Sequence, residues 1–404
     1  MFKFAPLAFT VLSVVMASSR AEAQTGTPTA PPLVFGSSTV LSGPAADLGK
    51  NMSLGIELAF SEANARGGIG GRPLVLRALD DGYEPERCAP NMRRLVADKE
   101  VLGIIGNVGT PTAITAVPIA EEAKVLFYGA FTGAGVLRKD PPDRCVFNLR
   151  ASYAEETRAM VDALIKRKGL DPKEIAFFTQ RDGYGDAGFA GGMAALKAHG
   201  LKSETSVVHA RYERNTVAVE NAVAEILQAE TPARAVIMVG AYAPCAAFIK
   251  LARALELDAV YLNVSFVGTR SLARELGAAG DGVIVTQIVP HPESDLPIAR
   301  DYRAAAAKFA AAFEPDYGSL EGYAAARLLI RAVESIRGEV SRQALIEAMA
   351  SLGKVDIGFG TPVELNAKRH QASNVVWASM LKDGKAVPVE WSVLEAKPVK
   401  PERR

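Results

Sequence analysis

Short β-branched runs alternate with segments of helical period along this chain, and the series begins twice; no other feature restricts its fold as much. Strand-like runs at 33–35, 74–79, 101–105 and 125–128 are separated by helical patterns over 47–65, 87–98 and 111–123. In the first of these, Leu48, Met52, Ile56, Ala59 and Phe60 recur every three or four residues and form one apolar face. From 153 the pattern restarts: helix 153–168, strand 175–178, helix 187–199, strand 205–208, helix 217–229, strand 235–239, helix 244–255 and strand 260–264. Alternating elements of this kind require a parallel sheet covered on both faces. Two successive doubly wound α/β units are a better solution than one sheet of ten or more strands. A strand at 283–287, long helices at 297–313, 320–337 and 341–350, and a hairpin around Asp383-Gly384 complete the order.

The start of the chain belongs to neither unit. Lys3 precedes an apolar run from Phe4 to Met16, and Ala21-Glu22-Ala23 has the small-residue spacing of a signal-peptidase site. The run is shorter than the roughly 20 residues needed to span a bilayer. Residues 1–23 therefore read as an export signal cut after Ala23, which predicts a periplasmic product, and no Cys lies near the cut to carry a lipid.

Composition removes several function classes. With 46 Lys+Arg against 45 Asp+Glu, no bulk charge is available to hold nucleic acid, and 49% hydrophobic residues exclude disorder. Cys88, Cys145 and Cys245 form no C-x-x-C, and an odd number leaves at least one unpaired; spacing does not choose a pair. The four His are scattered. No metal and no cofactor is indicated, and without a G-x-S-x-G elbow or an H-E-x-x-H helix an enzyme is not expected. The acidic pairs Asp80-Asp81 and Glu121-Glu122 are adjacent, so their side chains diverge.

Ligands of open α/β sheets sit beyond the carboxyl ends of the strands, which makes the turns there the candidates. After the strand at 101–105 comes Gly106-Asn107-Val108-Gly109-Thr110-Pro111, where Thr110 suits the N-cap and Pro111 the first helical position. After 125–128 comes Gly129-Ala130-Phe131-Thr132-Gly133, whose glycines let backbone approach a ligand while Thr132 offers a hydroxyl. Ser152-x-x-Glu155 is a capping box at the border of the two units. Gly183-Tyr184-Gly185-Asp186-Ala187-Gly188 matches G-x-G-x-x-G, yet the next strand ends without the acid that would hold a ribose, so a nucleotide is disfavoured.

Together, Leu41-Ser42-Gly43-Pro44, Asn64-Ala65-Arg66-Gly67-Gly68, Asp80-Asp81-Gly82-Tyr83 and Asp182-Gly183-Tyr184-Gly185 resemble the leucine/isoleucine/valine-binding type of periplasmic solute-binding protein, over nearly the whole chain. The resemblance implies a type I fold of two lobes joined by three crossovers, lobe 1 from 31–148 and 281–365 and lobe 2 from 149–280 and 366–395. It implies a monomer that closes on a small-molecule ligand and delivers it to an ABC permease of the inner membrane. Thr110, Ala130 and Thr132 look like the residues that hold the ligand's α-amino and carboxyl groups, and Tyr184 and Tyr242 like the tyrosines that close over it. Leu48 stands where such proteins often place an aromatic ring, and Thr269 lies in the stretch Phe266-Val267-Gly268-Thr269-Arg270 where they carry an acid for the ligand ammonium. That stretch has none, and a buried ammonium without a partner is costly. The ligand that the resemblance implies is a branched-chain or other hydrophobic amino acid; an amine-free carboxylate such as an aromatic acid is the alternative, nearly level with it on this stretch. A ligand-sensing regulator of the same fold is the rival.

Overall fold

The computed structural model describes residues 30–310, 312 and 314–395. The expected export signal at 1–23 lies outside the described residues.

The first series of elements runs β1 (Leu33–Thr39), α1 (Ala46–Ala65), β2 (Leu74–Asp80), α2 (Pro85–Ala97), β3 (Val101–Ile105), α3 (Thr110–Glu122), β4 (Leu126–Tyr128) and β5 (Val146–Phe147). Its strands form one parallel sheet in the order β2-β1-β3-β4-β5. The second series is α4 (Tyr153–Lys166), β6 (Ile175–Gln180), α5 (Gly183–Ala198), β7 (His209–Tyr212), α6 (Glu220–Leu227), β8 (Ala235–Val239), α7 (Tyr242–Ala254), β9 (Val260–Asn263), α8 (Thr269–Leu276) and β10 (Ile284–Gln287). Then follow α9 (Pro297–Phe309), α10 (Tyr317–Ser335), α11 (Arg342–Ala350), the small ribbon β11 (Gly353–Val355) and β12 (Val363–Leu365), and the hairpin β13 (Trp377–Lys382) and β14 (Lys385–Val389). The second sheet is ordered β14-β13-β10-β9-β8-β6-β7, and its strands run parallel except for β13, which pairs antiparallel with both β10 and β14. Two doubly wound sheets, one per lobe, are thus present.

Two details depart from the sequence reading. Residues 281–365 were expected in lobe 1, but β10 pairs in parallel with β9, Ile284 opposite Leu262 and Val285 opposite Asn263, and takes β13 on its other edge. The return to lobe 1 therefore follows β10, because an apolar β-branched strand completes the sheet it can pair with. The strand expected at 205–208 is instead a 3₁₀ turn at Glu204–Ser206 followed by β7. His209 opens that strand because its ring stacks on Phe189 at 3.6 Å and its Nε2 lies 2.8 Å from Thr179 Oγ1.

Local signals are met elsewhere. Ser152 accepts from the Glu155 amide and Glu155 reaches back to the Ser152 amide, so the capping box starts α4. Asp383 and Gly384 both adopt positive φ, 50° and 72°, as the two-residue turn between β13 and β14 requires. Where the chain crosses between lobes, Asn148 N donates to His370 O at 2.7 Å and Ala372 N to Asn148 O at 2.8 Å, so two crossovers run side by side.

Helix α10 returns to lobe 1 and lies along α1. Their backbones meet at glycines: a Cβ on Gly55 would stand 1.9 Å from Ser319 O, and one on Gly322 would stand 2.2 Å from Met52 O. Gly55→Ala forces these helices apart and is expected to lower stability by about 2 kcal/mol, within the usual cost of overpacking. Urea denaturation checks it; an unchanged midpoint would show that the crossing tolerates the methyl group. All three cysteines are buried free thiols. Among the described residues no helix is long and apolar enough to cross a membrane, and no group of His, Cys, Asp or Glu could hold a metal.

Candidate functional site

The turns after β3 and β4 are tied to each other before any side chain is considered. Phe131 N donates to Asn107 O at 2.7 Å and Gly109 N to Phe131 O at 3.2 Å, extending the parallel sheet by one bridge. Gly109 takes φ 98°, and a Cβ there would collide with the Tyr83 ring at 2.0 Å, so only glycine fits. Gly109 is thereby the residue that precedes α3, and Thr110, expected as the N-cap, is the first helical residue. Its hydroxyl is free of capping and meets Thr132 Oγ1 at 2.7 Å. Ala130 lies buried next to them, its carbonyl accepting from Thr132 N at 2.8 Å.

Lobe 2 covers this pair with rings. Asp182 accepts from the Tyr184 amide at 2.9 Å and starts α5, which sends the Tyr184 side chain inward. The ring is fully buried, 5.2 Å from Tyr153 and 4.5 Å from Phe266, and its hydroxyl donates to Gly240 O at 3.2 Å. Phe266 also packs on Phe131 at 5.3 Å and on Tyr83 at 6.0 Å. Gly185 and Gly188 of the G-x-G-x-x-G run are packing residues: a Cβ would lie 1.9 Å from Gln180 O in the first and 2.6 Å from Val239 in the second.

Leu48, Tyr242 and Thr269 form a neighbouring group around Gly268, where a Cβ would stand 2.6 Å from Leu48 and 3.4 Å from Tyr242. The Thr269 hydroxyl is buried and accepts from Gln287 Nε2 at 2.9 Å. Arg270 stays at the surface, half-exposed and paired with Glu314. Sequence reasoning does not single out Phe131, Tyr153, Tyr83 or Arg150. Phe131 lies in a loop marked by its glycines; Tyr153 and Arg150 read only as the border of a helix, and nothing in one sequence sets them apart from any other crossover residue.

The two lobes touch along both sides of the ring cluster. On one side Asp47 accepts from Ser271 Oγ at 2.8 Å and Arg274 Nη2 at 2.7 Å. On the other, Glu84 accepts from Arg214 Nη2 at 2.7 Å and Asn215 Nδ2 at 2.6 Å, and Gln180 Nε2 donates to the Tyr83 hydroxyl at 3.1 Å. The structure is therefore closed. Asp80 and Asp81 diverge as adjacency requires. Asp80 is opposed by burial, yet hydrogen bonds from Ser42, the Leu41 and Gly82 amides and Arg87 hold its carboxyl well below the usual range. Burial pushes Asp81 up to about 6 although it accepts from Ser38 and the Tyr83 amide. Burial likewise pushes Tyr153 up to about 12 and Tyr184 well above its ordinary value, so both hydroxyls remain donors.

Paired hydroxyls among backbone amides, roofed by rings, suit a carboxylate with an apolar body. The model of the family described as "Periplasmic binding protein" matches residues 32–386. A relative from Brucella abortus (strain 2308), Leu/Ile/Val-binding protein homolog 7, is 26% identical over 398 residues, covering 93% of this chain and 96% of that protein. A possible leucine/isoleucine/valine-binding protein from Rhodopirellula baltica SH 1 superposes with a TM-score of 0.89 at 49% identity, covering 92% of this chain and 100% of that one. A substrate-binding periplasmic protein from Ralstonia solanacearum gives 0.81 at 27%, covering 89% and 100%.

Proposed function

We propose, because this chain belongs to the periplasmic binding protein family in its leucine/isoleucine/valine-binding type, that it captures a small carboxylate with an apolar body and hands it to an ABC permease of the inner membrane. It is a binding protein and not an enzyme. The observation that carries the reading is the Thr110–Thr132 hydroxyl pair of lobe 1, 2.7 Å apart and buried beneath Tyr184 and Phe266 of lobe 2. Each lobe holds half a site, so a ligand gains both halves only on closure and shifts the population toward the closed form. The cleaved product of the export signal works in the periplasm as a monomer.

The geometry supports an amine-free acid best. The stretch Phe266-Val267-Gly268-Thr269-Arg270 supplies no acid for an ammonium, and the Phe266 ring packs on Tyr184, Phe131 and Tyr83. A hydrophobic amino acid is the second reading, favoured by the names of the Brucella and Rhodopirellula relatives. A thermal-shift series with 4-methylpentanoate, phenylacetate, L-leucine and L-valine separates them, since a ligand of the folded state at 100 times its Kd stabilises by about 2.7 kcal/mol. The acids are expected to raise the melting temperature by several degrees and the amino acids by less. A shift with leucine or valine alone would replace the first reading by the second; no shift with any of the four would remove small carboxylates altogether.

A further inference from the structure

Arg150 lies on the crossover that leads from β5 to α4 and is fully buried. Its guanidinium is wedged between two rings, with Cζ 5.0 Å from the Phe131 centroid and 5.8 Å from that of Tyr153. Phe131 precedes Thr132 in sequence, and Tyr153 N is bonded to Gly133 O at 2.8 Å, so the two rings flank Thr132. The Tyr153 hydroxyl comes beside Thr132 without completing a hydrogen bond.

The guanidinium is incompletely satisfied. Nη2 donates to Glu156 Oε1 at 3.2 Å and to Ser265 Oγ. Nε and Nη1 donate to nothing; the nearest carboxylate to Nη1 is Glu321 Oε1 at 3.6 Å, beyond hydrogen-bond reach. Glu156 cannot turn to help, because it already accepts from Ser265 N at 2.7 Å, Ser265 Oγ at 3.0 Å and Thr286 Oγ1 at 2.5 Å. Glu321 supplies only part of a charge near neutral pH, since burial pushes its carboxyl up to about 7 against the pull of Arg150. Two guanidinium nitrogens and one phenol are thus buried without hydrogen-bond acceptors, in one patch beside Thr132. Orphaned buried donors are costly and mark a missing partner. A carboxylate, with two oxygens and about four acceptor positions, is the group that satisfies such a set, and a planar guanidinium is the donor best shaped to meet it.

We infer that Arg150 and Tyr153, together with the Thr110 and Thr132 hydroxyls, form a cationic seat for the ligand's carboxylate, which makes the site selective for organic anions over their neutral isosteres. The inference rests on the reading of this site as a carboxylate pocket and adds the group that supplies the charge. A site of hydroxyls and amides alone would discriminate an acid from its amide weakly, whereas a desolvated guanidinium would discriminate strongly.

The test uses the mature protein and matched pairs, 4-methylpentanoate with 4-methylpentanamide and phenylacetate with phenylacetamide, titrated by calorimetry. The wild type is expected to bind each acid about 100-fold more tightly than its amide, as loss of a charge-assisted hydrogen bond implies. Tyr153→Phe is expected to weaken the acids about 10-fold and leave the amides unchanged, and Arg150→Lys to weaken the acids by a further large factor. Should Arg150→Lys fail to fold by circular dichroism, the acid-to-amide ratio of wild type and Tyr153→Phe decides by itself. Equal binding of acid and amide, or unchanged acid affinity in the folded variants, would overturn the charge role while leaving a carboxylate-binding protein intact. Binding of none of the acids would instead remove the carboxylate reading, and this inference with it.

Discussion

Thr132→Val lowers the affinity for an acid that the wild type binds, such as phenylacetate, by about 100-fold, with the melting temperature of the unliganded protein changed by no more than a few degrees. The substitution keeps the branched shape and deletes one hydroxyl from a fully buried position. In the closed form that hydroxyl has Thr110 Oγ1 as its partner at 2.7 Å and accepts from Ala134 N at 3.3 Å, so its loss removes two modest hydrogen bonds from the fold. In the complex the loss is larger, because a ligand carboxylate has been stripped of water and one of its donors is missing. A hydrogen bond to a charged group contributes about 1.5 to 3 kcal/mol, which corresponds to about 10-fold to 150-fold in Kd. Calorimetric titration of the variant checks this. Wild-type affinity would take Thr132 out of the site and leave the Thr110–Thr132 contact as packing between two turns.

The second large effect concerns stability and pH. Asp316 precedes α10, is almost fully buried, and accepts from Asn51 Nδ2 at 2.8 Å. Burial pushes its carboxyl up from 3.8 to about 6, against the Tyr317 and Gly318 amides and Arg270, which favour the ionised form. Between those two values the folded protein holds a proton that the unfolded chain has released, so stability falls as pH rises through about 6 and the full cost is present above it. At about 1.4 kcal/mol per pH unit, the span amounts to about 3 kcal/mol. Asp316→Asn keeps the acceptor for Asn51 and cannot ionise. Its melting temperature is expected to exceed that of the wild type by several degrees at pH 8, with the difference closing toward zero by pH 4. A gain of equal size at both pH values, or none at pH 8, would show that ionisation of this carboxyl does not cost the fold stability. Glu321, pushed up to about 7, titrates in the same sense, so part of the pH dependence survives in the Asp316 variant.

The closed arrangement of the lobes explains why the effect at Thr132 is large. Thr110 and Thr132 belong to one lobe and Tyr184 and Phe266 to the other, and all four are buried. Ion pairs of the closing surfaces, Asp47 with Arg274 and Glu84 with Arg214, are partly exposed. Such pairs contribute little each, and they steer closure more than they hold it.

The sequence by itself determined the elements and the class of fold. Period-3.6 and apolar β-branched runs are local properties, and their alternation leaves a doubly wound parallel sheet as the solution for each lobe, since both faces of every strand must be buried. The Ser152 capping box, the Asp383-Gly384 turn and the loops that carry Thr110, Thr132 and Tyr184 were legible for the same reason: each depends on residues a few positions apart. Tertiary structure decided what depends on distant partners. It placed β10 in the second sheet, because strand membership is set by the neighbour that supplies hydrogen bonds, here Leu262 and Asn263. It set Gly109 rather than Thr110 before α3, because the Tyr83 ring excludes any side chain there. It packed the Phe266 ring against Tyr184 and brought Arg150 into contact with Ser265, 115 residues away in sequence. Charge in a buried site depends on which groups fold together and exclude water, and no spacing along the chain encodes that.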